Sequence, residues 1–170
     1  AMMKVNSEYI VDFYEFDNRI SKFNGQKEVI YTLEEYIEGK ELGKILSQGE
    51  LYSKQKLIVF IDKILYALQE IWSYNIVHRD IKPGNIIIKE NDSPVIVDFG
   101  IARHIDKTDL TATNLPHGPC TPPFAAPEML ENEKDLIDCR SDLFSLGILA
   151  YLMVTGEHPF WNKKEDIEKN

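Results

Sequence analysis

Asp80, Asn85 and Asp98 carry oxygen atoms that suit a metal ion bound to phosphates. Asp80 and Asn85 lie in the segment His-Arg-Asp-Ile-Lys-Pro-Gly-Asn at residues 78–85, and Asp98 begins the tripeptide Asp-Phe-Gly. Carboxylate and amide oxygens are hard ligands, which Mg²⁺ prefers when it is bound together with a polyphosphate. Lys82 adds a positive point charge for a phosphate group. If these side chains converge, they indicate a site for Mg²⁺ and a polyphosphate.

A short hairpin would bring these side chains together. Two apolar runs, Ile-Ile-Ile at 86–88 and Val-Ile-Val at 95–97, each have the length of a buried strand. Asn-Asp-Ser-Pro at 91–94 is typical of a turn between two strands. The segment before the first strand and the residue after the second strand lie at the same end of such a hairpin. We therefore predict that the polar side chains meet there.

These motifs resemble those of the eukaryotic-type protein kinase family, serine/threonine branch. The family's catalytic loop reads His-Arg-Asp-x-x-x-x-Asn and its metal loop reads Asp-Phe-Gly, and residues 78–85 and 98–100 match both without substitution. Lys-Pro at 82–83 is the serine/threonine variant of the loop. Ala-Pro-Glu at 126–128 is a third motif of the family and follows in the expected order.

The resemblance implies a role for each residue of the site. Asp80 would accept the proton of the substrate hydroxyl, and Lys82 would neutralise charge on the transferred phosphoryl group. Thr121 would bond both of them. Asn85 and Asp98 would hold Mg²⁺, and ATP would be the phosphoryl donor.

The resemblance also implies a nucleotide site, to which Asp98 belongs as well. The Glu35 carbonyl and the Ile37 N–H would bond adenine, Glu41 would reach the ribose, and Ile87 would contact the nucleotide. One position departs from the family pattern. Glu34 stands at the back of the predicted pocket, where the family usually has an apolar residue or Thr, and a buried carboxylate is costly unless it is paired or wet.

Other residues near the motifs receive supporting roles from the same resemblance. His78 would pack under Phe99 and bond backbone, rather than act as a base or zinc ligand. Asp142 would accept bonds from the backbone near His78 and Arg79; the alternative is an ordinary acid in the first turn of a helix. Arg79 would bind a phosphate group on the activation segment, residues 101–125; the alternative is that the threonines of this segment are ordinary loop residues. The candidate phosphosites are Thr108, Thr111 and Thr113. The remaining histidines, His104, His117 and His158, are predicted to be surface residues.

The pattern of elements predicts an α+β fold that is protein kinase-like and truncated. Strands at residues 9–16 and 29–33, with the hairpin signal Asn-Gly at 24–25, would form a residual small-lobe β-hairpin. This hairpin and the hinge would make up residues 1–38. Residues 39–170 would form a mainly helical large lobe with the catalytic loop, the activation segment and a buried helix.

Three helices are predicted in the large lobe. The first is short, at residues 42–46. The second follows Ser53, a plausible N-cap, and runs to about Tyr74 with apolar residues at helical spacing. The third begins at Ser141, continues to Thr155 and is closed by Gly156.

Composition limits the classes of partner and compartment. The chain has 170 residues, of which 44% are hydrophobic, and its net charge is −9 from 19 basic and 28 acidic residues. That acidity disfavours nucleic acid and anionic membranes as partners. Two cysteines provide no disulfide framework and suit a reducing, cytoplasmic location. The sequence shows neither a signal peptide nor an apolar run long enough to span a bilayer.

Two family features are absent from the sequence. It contains no Gly-x-Gly-x-x-Gly and no Val-Ala-Ile-Lys strand. We therefore expect the chain to cover only the middle of a kinase domain, as a natural minimal protein or as a fragment, and to bind Mg·ATP weakly. The open edge of the strand at 29–33, or an apolar patch at Phe13 and Phe99, would then be covered by another copy in a homodimer.

Three functions are compatible with these motifs. The first is a protein serine/threonine kinase that acts on a protein substrate, weak or inactive in this chain. The alternative is a pseudokinase or scaffold that binds a protein partner without catalysis. A small-molecule kinase of the aminoglycoside phosphotransferase type shares the Asp-x-x-x-x-Asn loop but lacks Thr-Pro at 121–122 and Ala-Pro-Glu at 126–128. The intact Asp80, Lys82, Asn85 and Asp98 favour the first function.

Overall fold

Short strands and helices are mixed along the chain. The computed structural model describes residues 5, 7–21, 27–99, 103–104 and 120–160. The mixture of short strands and helices confirms the predicted α+β class, whereas a division at residue 38 stays a prediction. The elements are β1 (Phe13–Ser21), β2 (Lys27–Glu34), β3 (Lys40–Glu41), α1 (Leu42–Ser47), α2 (Lys54–Ser73), β4 (Ile76–Val77), β5 (Ile86–Ile88), β6 (Pro94–Ile96), β7 (Arg103–His104), α3 (Pro127–Leu130) and α4 (Cys139–Thr155).

The predicted hairpin is present, but its first strand is displaced. Strands β1 and β2 pair antiparallel, from Phe13 opposite Glu34 to Ser21 opposite Lys27. The prediction of a strand at 9–16 is wrong in its bounds because the residues before β1 pair elsewhere. Ile10 forms a parallel bridge with Ile96, whose carbonyl accepts from the Val11 N–H at 3.0 Å. The predicted Asn-Gly turn lies outside the described residues.

Strand β5 is the centre of a three-stranded sheet in the order β3-β5-β6. Ile86 pairs with Ile96 and Ile88 with Pro94, which confirms the predicted hairpin between the catalytic and metal loops. The turn is closed by a bond of 2.9 Å from the Lys89 N–H to the Ser93 carbonyl. Asp92 in this turn has φ 60°, a left-handed conformation that Asp tolerates better than most residues.

Helix α2 lies where its apolar spacing predicts it. The Ser53 hydroxyl caps its start by accepting from the Lys56 N–H at 3.2 Å. The helix delivers the chain to the catalytic loop and presents one buried face to the core, which is made of Phe60, Ile64, Ala67, Leu68 and Ile71.

Helix α4 begins two residues before the predicted Ser141. Asp138 is its N-cap, since its carboxylate accepts from the Arg140 N–H at 2.8 Å. The predicted C-terminus is confirmed: Gly156 has φ 74° and donates to the Leu152 carbonyl at 2.8 Å. Among the helices that the structure describes, none combines the length and apolarity needed to cross a bilayer.

One hydrophobic core contains side chains from α1 and α4 and the side chain of Phe99. Leu42, Leu149 and Met153 are fully buried in it. Phe99 is only 6% exposed, and its ring centroid lies 6.3 Å from that of Phe13 and 4.6 Å from that of His78. The expectation of an apolar patch at Phe99 is therefore wrong, because the chain covers this ring itself.

Gly39 is a position where the chain has no space for a side chain. A Cβ there would lie 2.5 Å from the Ile88 carbonyl oxygen and 2.7 Å from Ile87 Cγ2. We expect Gly39→Ala to separate β3 from β5 and to lower the free energy of unfolding by about 1–3 kcal/mol.

Urea denaturation of two alanine variants tests this prediction. Gly147→Ala is the matched control, because a Cβ at this exposed position in α4 meets nothing within 4 Å. Ala is the better helix former, so we expect this control to raise stability by about 0.5–1 kcal/mol. Shifts of the same sign in the two variants would contradict the steric argument.

Candidate active site

The catalytic segment is held in an unusual backbone conformation. Arg79 has φ 69°, a region that a side chain of this type seldom occupies. Such strain persists only where neighbouring groups fix the backbone. Here the fixing group is Asp142 of α4, whose carboxylate accepts from the His78 N–H at 3.0 Å and from the Arg79 N–H at 2.8 Å.

Asp142 is therefore the anchor that the resemblance implies, and this prediction is confirmed. Its side chain is fully buried and also accepts from Trp72 Nε1 at 2.9 Å, a partner that the sequence did not reveal. Burial raises the pKa of Asp142, while the donors from Trp72, Arg79 and His78 oppose the rise. All three donors are N–H groups, which favours the carboxylate form as their acceptor.

His78 has the packing role predicted for it. It is fully buried, with its ring against Phe99 and its Nδ1 accepting from the Asp80 N–H at 3.2 Å. Burial lowers the pKa of His78, against the opposing charges of Asp142 and Asp80. The imidazole is thus neutral at neutral pH and serves to position the backbone of the catalytic loop.

Asp80, Lys82 and Thr121 form a triangle of hydrogen bonds, called here the Asp80 triangle. Asp80 Oδ1 accepts from the Thr121 hydroxyl at 2.6 Å, and Asp80 Oδ2 lies 2.6 Å from Lys82 Nζ. Lys82 Nζ closes the triangle by donating to Thr121 Oγ1 at 2.8 Å. The predicted bonds from Thr121 to both residues are confirmed, although 41 positions separate Thr121 from Asp80.

The partners of Asp80 decide its protonation. Burial on its own would raise the pKa of Asp80, but hydrogen bonds from Lys82, Thr121 and Asn85 outweigh it, so the pKa is lowered. The side chain is therefore a carboxylate at neutral pH. In that form it is able to accept a hydrogen bond from an incoming hydroxyl and then its proton.

Asn85 joins the triangle to the metal loop. Its amide nitrogen donates to Asp80 Oδ2 at 2.8 Å and to the Asp80 carbonyl at 2.9 Å, which leaves the amide oxygen for a metal ion. The Asn85 carbonyl accepts from the Val97 N–H at 3.0 Å, so the backbone places Asp98 one residue beyond this contact. Asp98 has φ 61°, again in the left-handed region.

The donor set fits Mg²⁺ carried by a nucleotide. Asn85 and Asp98 offer an amide oxygen and a carboxylate, which are hard ligands. Among the described residues, no group of three or more His, Cys, Asp or Glu side chains is placed to hold a metal. Two protein ligands are few for Mg²⁺, which typically completes its shell with phosphate oxygens and water.

The predicted nucleotide residues lie on two neighbouring segments. Glu41 and Ile87 are register partners in the β3–β5 pair, so the structure brings them together. Glu35 and Ile37 lie between β2 and β3, where the Glu35 N–H donates to the Asp12 carbonyl at 2.9 Å. Glu34 is the last residue of β2 and is half-buried. The candidate phosphosites Thr108, Thr111 and Thr113 lie outside the described residues.

Helix α4 also holds the segment that follows Thr121. The Ser145 hydroxyl donates to the Phe124 carbonyl at 2.7 Å, and the Ser141 hydroxyl donates to Glu128 Oε1 at 2.5 Å. Ser141, Asp142 and Ser145 are thus buried polar residues in a mainly apolar helix. That pattern is the sequence signal by which the two serines, which our prediction missed, could have been found.

Comparison with known proteins agrees with this arrangement. A family model described as "Protein kinase domain" matches residues 1–170. A buried acid anchoring a strained catalytic loop, a metal loop beside it and this family match lead to one conclusion: the chain belongs to the protein kinase family.

Several of the proteins similar to this chain are named serine/threonine-protein kinases. A probable serine/threonine-protein kinase PknB of Bifidobacterium longum is 35% identical over 94% of this chain and 23% of its own length. The serine/threonine-protein kinase PknA of Mycobacterium tuberculosis is 33% identical over 82% of this chain and 32% of its own length. A striated muscle preferentially expressed protein kinase of Danio rerio is 37% identical over 81% of this chain and 4% of its own length. The chain thus spans less than a third of each of these relatives.

Proposed function

We propose that this chain carries the phosphoryl-transfer centre of a serine/threonine-protein kinase, with a protein hydroxyl as the acceptor. The observation that supports this most directly is the Asp80 triangle. It combines a carboxylate that accepts a proton, an ammonium group beside it and a hydroxyl from the predicted activation segment. A scaffold that only binds a partner has no need of this combination.

The proposed mechanism assigns one task to each side chain. Mg·ATP supplies the phosphoryl group and the metal charge that offsets the phosphates. Asn85 and Asp98 hold the metal, and Lys82 places its charge near the transferred group. Asp80 orients the substrate hydroxyl and takes its proton, while that oxygen bonds to phosphorus and the bond to the leaving ADP breaks.

Thr121 links the chemistry to the protein substrate. Its hydroxyl donates to Asp80 and accepts from Lys82, so its backbone is held beside the catalytic carboxylate. The residues directly after it are therefore fixed relative to Asp80. This link supports a peptide acceptor rather than a small molecule.

Several finer predictions accompany the proposal. Glu35, Ile37, Glu41 and Ile87 would contact the nucleotide. Another copy of the chain would pair with the open edge of β2 in a homodimer. The two cysteines are free thiols, which suits the predicted cytoplasmic location.

A transfer assay tests the proposed function. The chain is incubated with radiolabelled ATP, Mg²⁺ and a generic basic protein, and the label is identified on Ser or Thr by phosphoamino-acid analysis. We expect weak labelling of the basic protein and its loss when EDTA removes Mg²⁺, because Asn85 and Asp98 then have no ion to hold. Absence of transfer would favour the alternative, a scaffold that binds a partner without catalysis.

A further inference from the structure

The turn that follows Thr121 is held from two sides. Pro122–Phe124 form a single 3₁₀ turn directly after the residue that completes the Asp80 triangle. On the α4 side, the Ser145 hydroxyl donates to the Phe124 carbonyl at 2.7 Å. On the other side, His158 Nε2 lies 2.7 Å from the Pro123 carbonyl oxygen. A histidine from beyond α4 thus reaches the backbone beside the proposed substrate site.

The end of α4 places His158 there. Gly156 adopts φ 74° and ends the helix, so the chain leaves the helical path at this residue. The Glu157 N–H donates to the Thr155 hydroxyl at 3.1 Å, which fixes the residue before His158. The His158 ring then stands edge-on to Phe124, with centroids 5.5 Å apart and an interplanar angle of 84°. His158 is half-buried.

Two backbone groups set the orientation and the form of this ring. The Pro123 carbonyl only accepts, so His158 Nε2 must carry the hydrogen of that bond. The Phe160 N–H only donates, and it does so to His158 Nδ1 at 3.2 Å. These two bonds together place the hydrogen on Nε2 and leave Nδ1 as an acceptor. The ring therefore bridges the turn and the chain after α4.

We infer that His158 is a positioning residue that fixes the Pro122–Phe124 turn and thereby sets the affinity for the protein substrate. This inference rests on the proposed function only in its second part, the substrate affinity. His158 acts on the backbone of the turn, so its loss displaces the surface that receives the substrate. The metal ligands are on other segments, so the use of Mg·ATP is unaffected.

Three substitutions separate the parts of this role. His158→Phe keeps an aromatic ring against Phe124 but removes the donor to Pro123. His158→Gln has an amide nitrogen at about the distance of Nε2 and restores that donor. Glu157→Gln, at the exposed neighbouring position, is the matched control for a change in the same segment.

Hydrogen exchange measures the position of the turn without any need for activity. The Phe124 N–H donates to the Thr121 carbonyl at 2.9 Å and the Ala125 N–H to the Pro122 carbonyl at 3.2 Å. We expect both amides to exchange about two- to tenfold faster in His158→Phe, the factor that corresponds to one neutral hydrogen bond, and at the parent rate in the two other variants. Unchanged exchange in His158→Phe would overturn the inference.

Steady-state kinetics then tests the effect on the substrate. In His158→Phe we expect the KM for the basic protein to rise about two- to tenfold. The kcat and the KM for Mg·ATP should stay at the parent values, and His158→Gln should restore the KM. An unchanged KM for the basic protein, or an equal loss in kcat, would overturn the substrate part. A parent chain without transfer activity would count against the proposed function, and the exchange data would still decide whether His158 fixes the turn.

Discussion

Replacing Asp80 with Asn is expected to lower phosphoryl transfer about 10²–10⁴-fold while the chain stays folded. Asn has nearly the same shape as Asp, but it does not take up a proton from the substrate hydroxyl. The substitution also removes the charge that faces Lys82 Nζ at 2.6 Å. The rate therefore falls through the loss of both the acceptor and the arrangement of the Asp80 triangle.

The rate is measured with radiolabelled Mg·ATP and the basic protein. Asp92→Asn is the matched control, since it makes the same chemical change in a side chain that is 68% exposed and lies in the β5–β6 turn. We expect the control to retain the parent rate, and thermal melting should show that both variants fold. Equal rates for Asp80→Asn and the parent would point to a contaminating kinase or to a wrong assignment of the base.

Replacing Asp142 with Ala is expected to lower the free energy of unfolding by about 3–5 kcal/mol. The substitution leaves three donors without their acceptor: the buried backbone N–H groups of His78 and Arg79, and the indole of the half-buried Trp72. Water does not readily replace the carboxylate, because the side chain is fully buried. Arg79 would also lose the bond that holds its backbone at φ 69°.

Urea denaturation followed by tryptophan fluorescence measures this loss, and Trp72 reports directly on the site. Asp138→Ala is the matched control, because it removes an aspartate from the same helix, but at the N-cap, where the expected loss is about 1 kcal/mol. Asp142→Asn keeps one acceptor oxygen and remains measurable if the Ala variant does not fold. Similar losses at positions 138 and 142 would contradict the anchor role of Asp142.

The catalytic half of the site was predictable from sequence because its residues are local. One hairpin joins residues 78–85 to residues 98–100. The lengths of its two apolar runs and the turn residues between them predict the bounds of its strands to within one residue. The spacing of α2 and the glycine after α4 were equally informative. The bounds of β1 could not be predicted in this way, because Ile10 and Val11 pair with Ile96, more than eighty residues away. Such long-range pairing overrides the local alternation of apolar and polar residues.

The supporting contacts were harder to predict for the same physical reason. Trp72 reaches Asp142 across 70 positions, and His158 reaches Pro123 across 35. Nothing in the immediate surroundings of either residue distinguishes it from a core or a surface side chain. The left-handed backbone of Arg79 is also invisible in the sequence, because it follows from two bonds to a distant carboxylate rather than from the residue type.

Within the part of the chain that the structure describes, backbone bonds tie the base of the β1–β2 hairpin to the rest of the chain. The Glu35 N–H bonds the Asp12 carbonyl, and the residues just before Asp12 are tied to Ile96. Glu35 therefore belongs to this base, and Ile37 follows it on the way to β3. The backbone proposed to contact adenine thus starts from a point that is bonded to the chain before β1, and through it to β6.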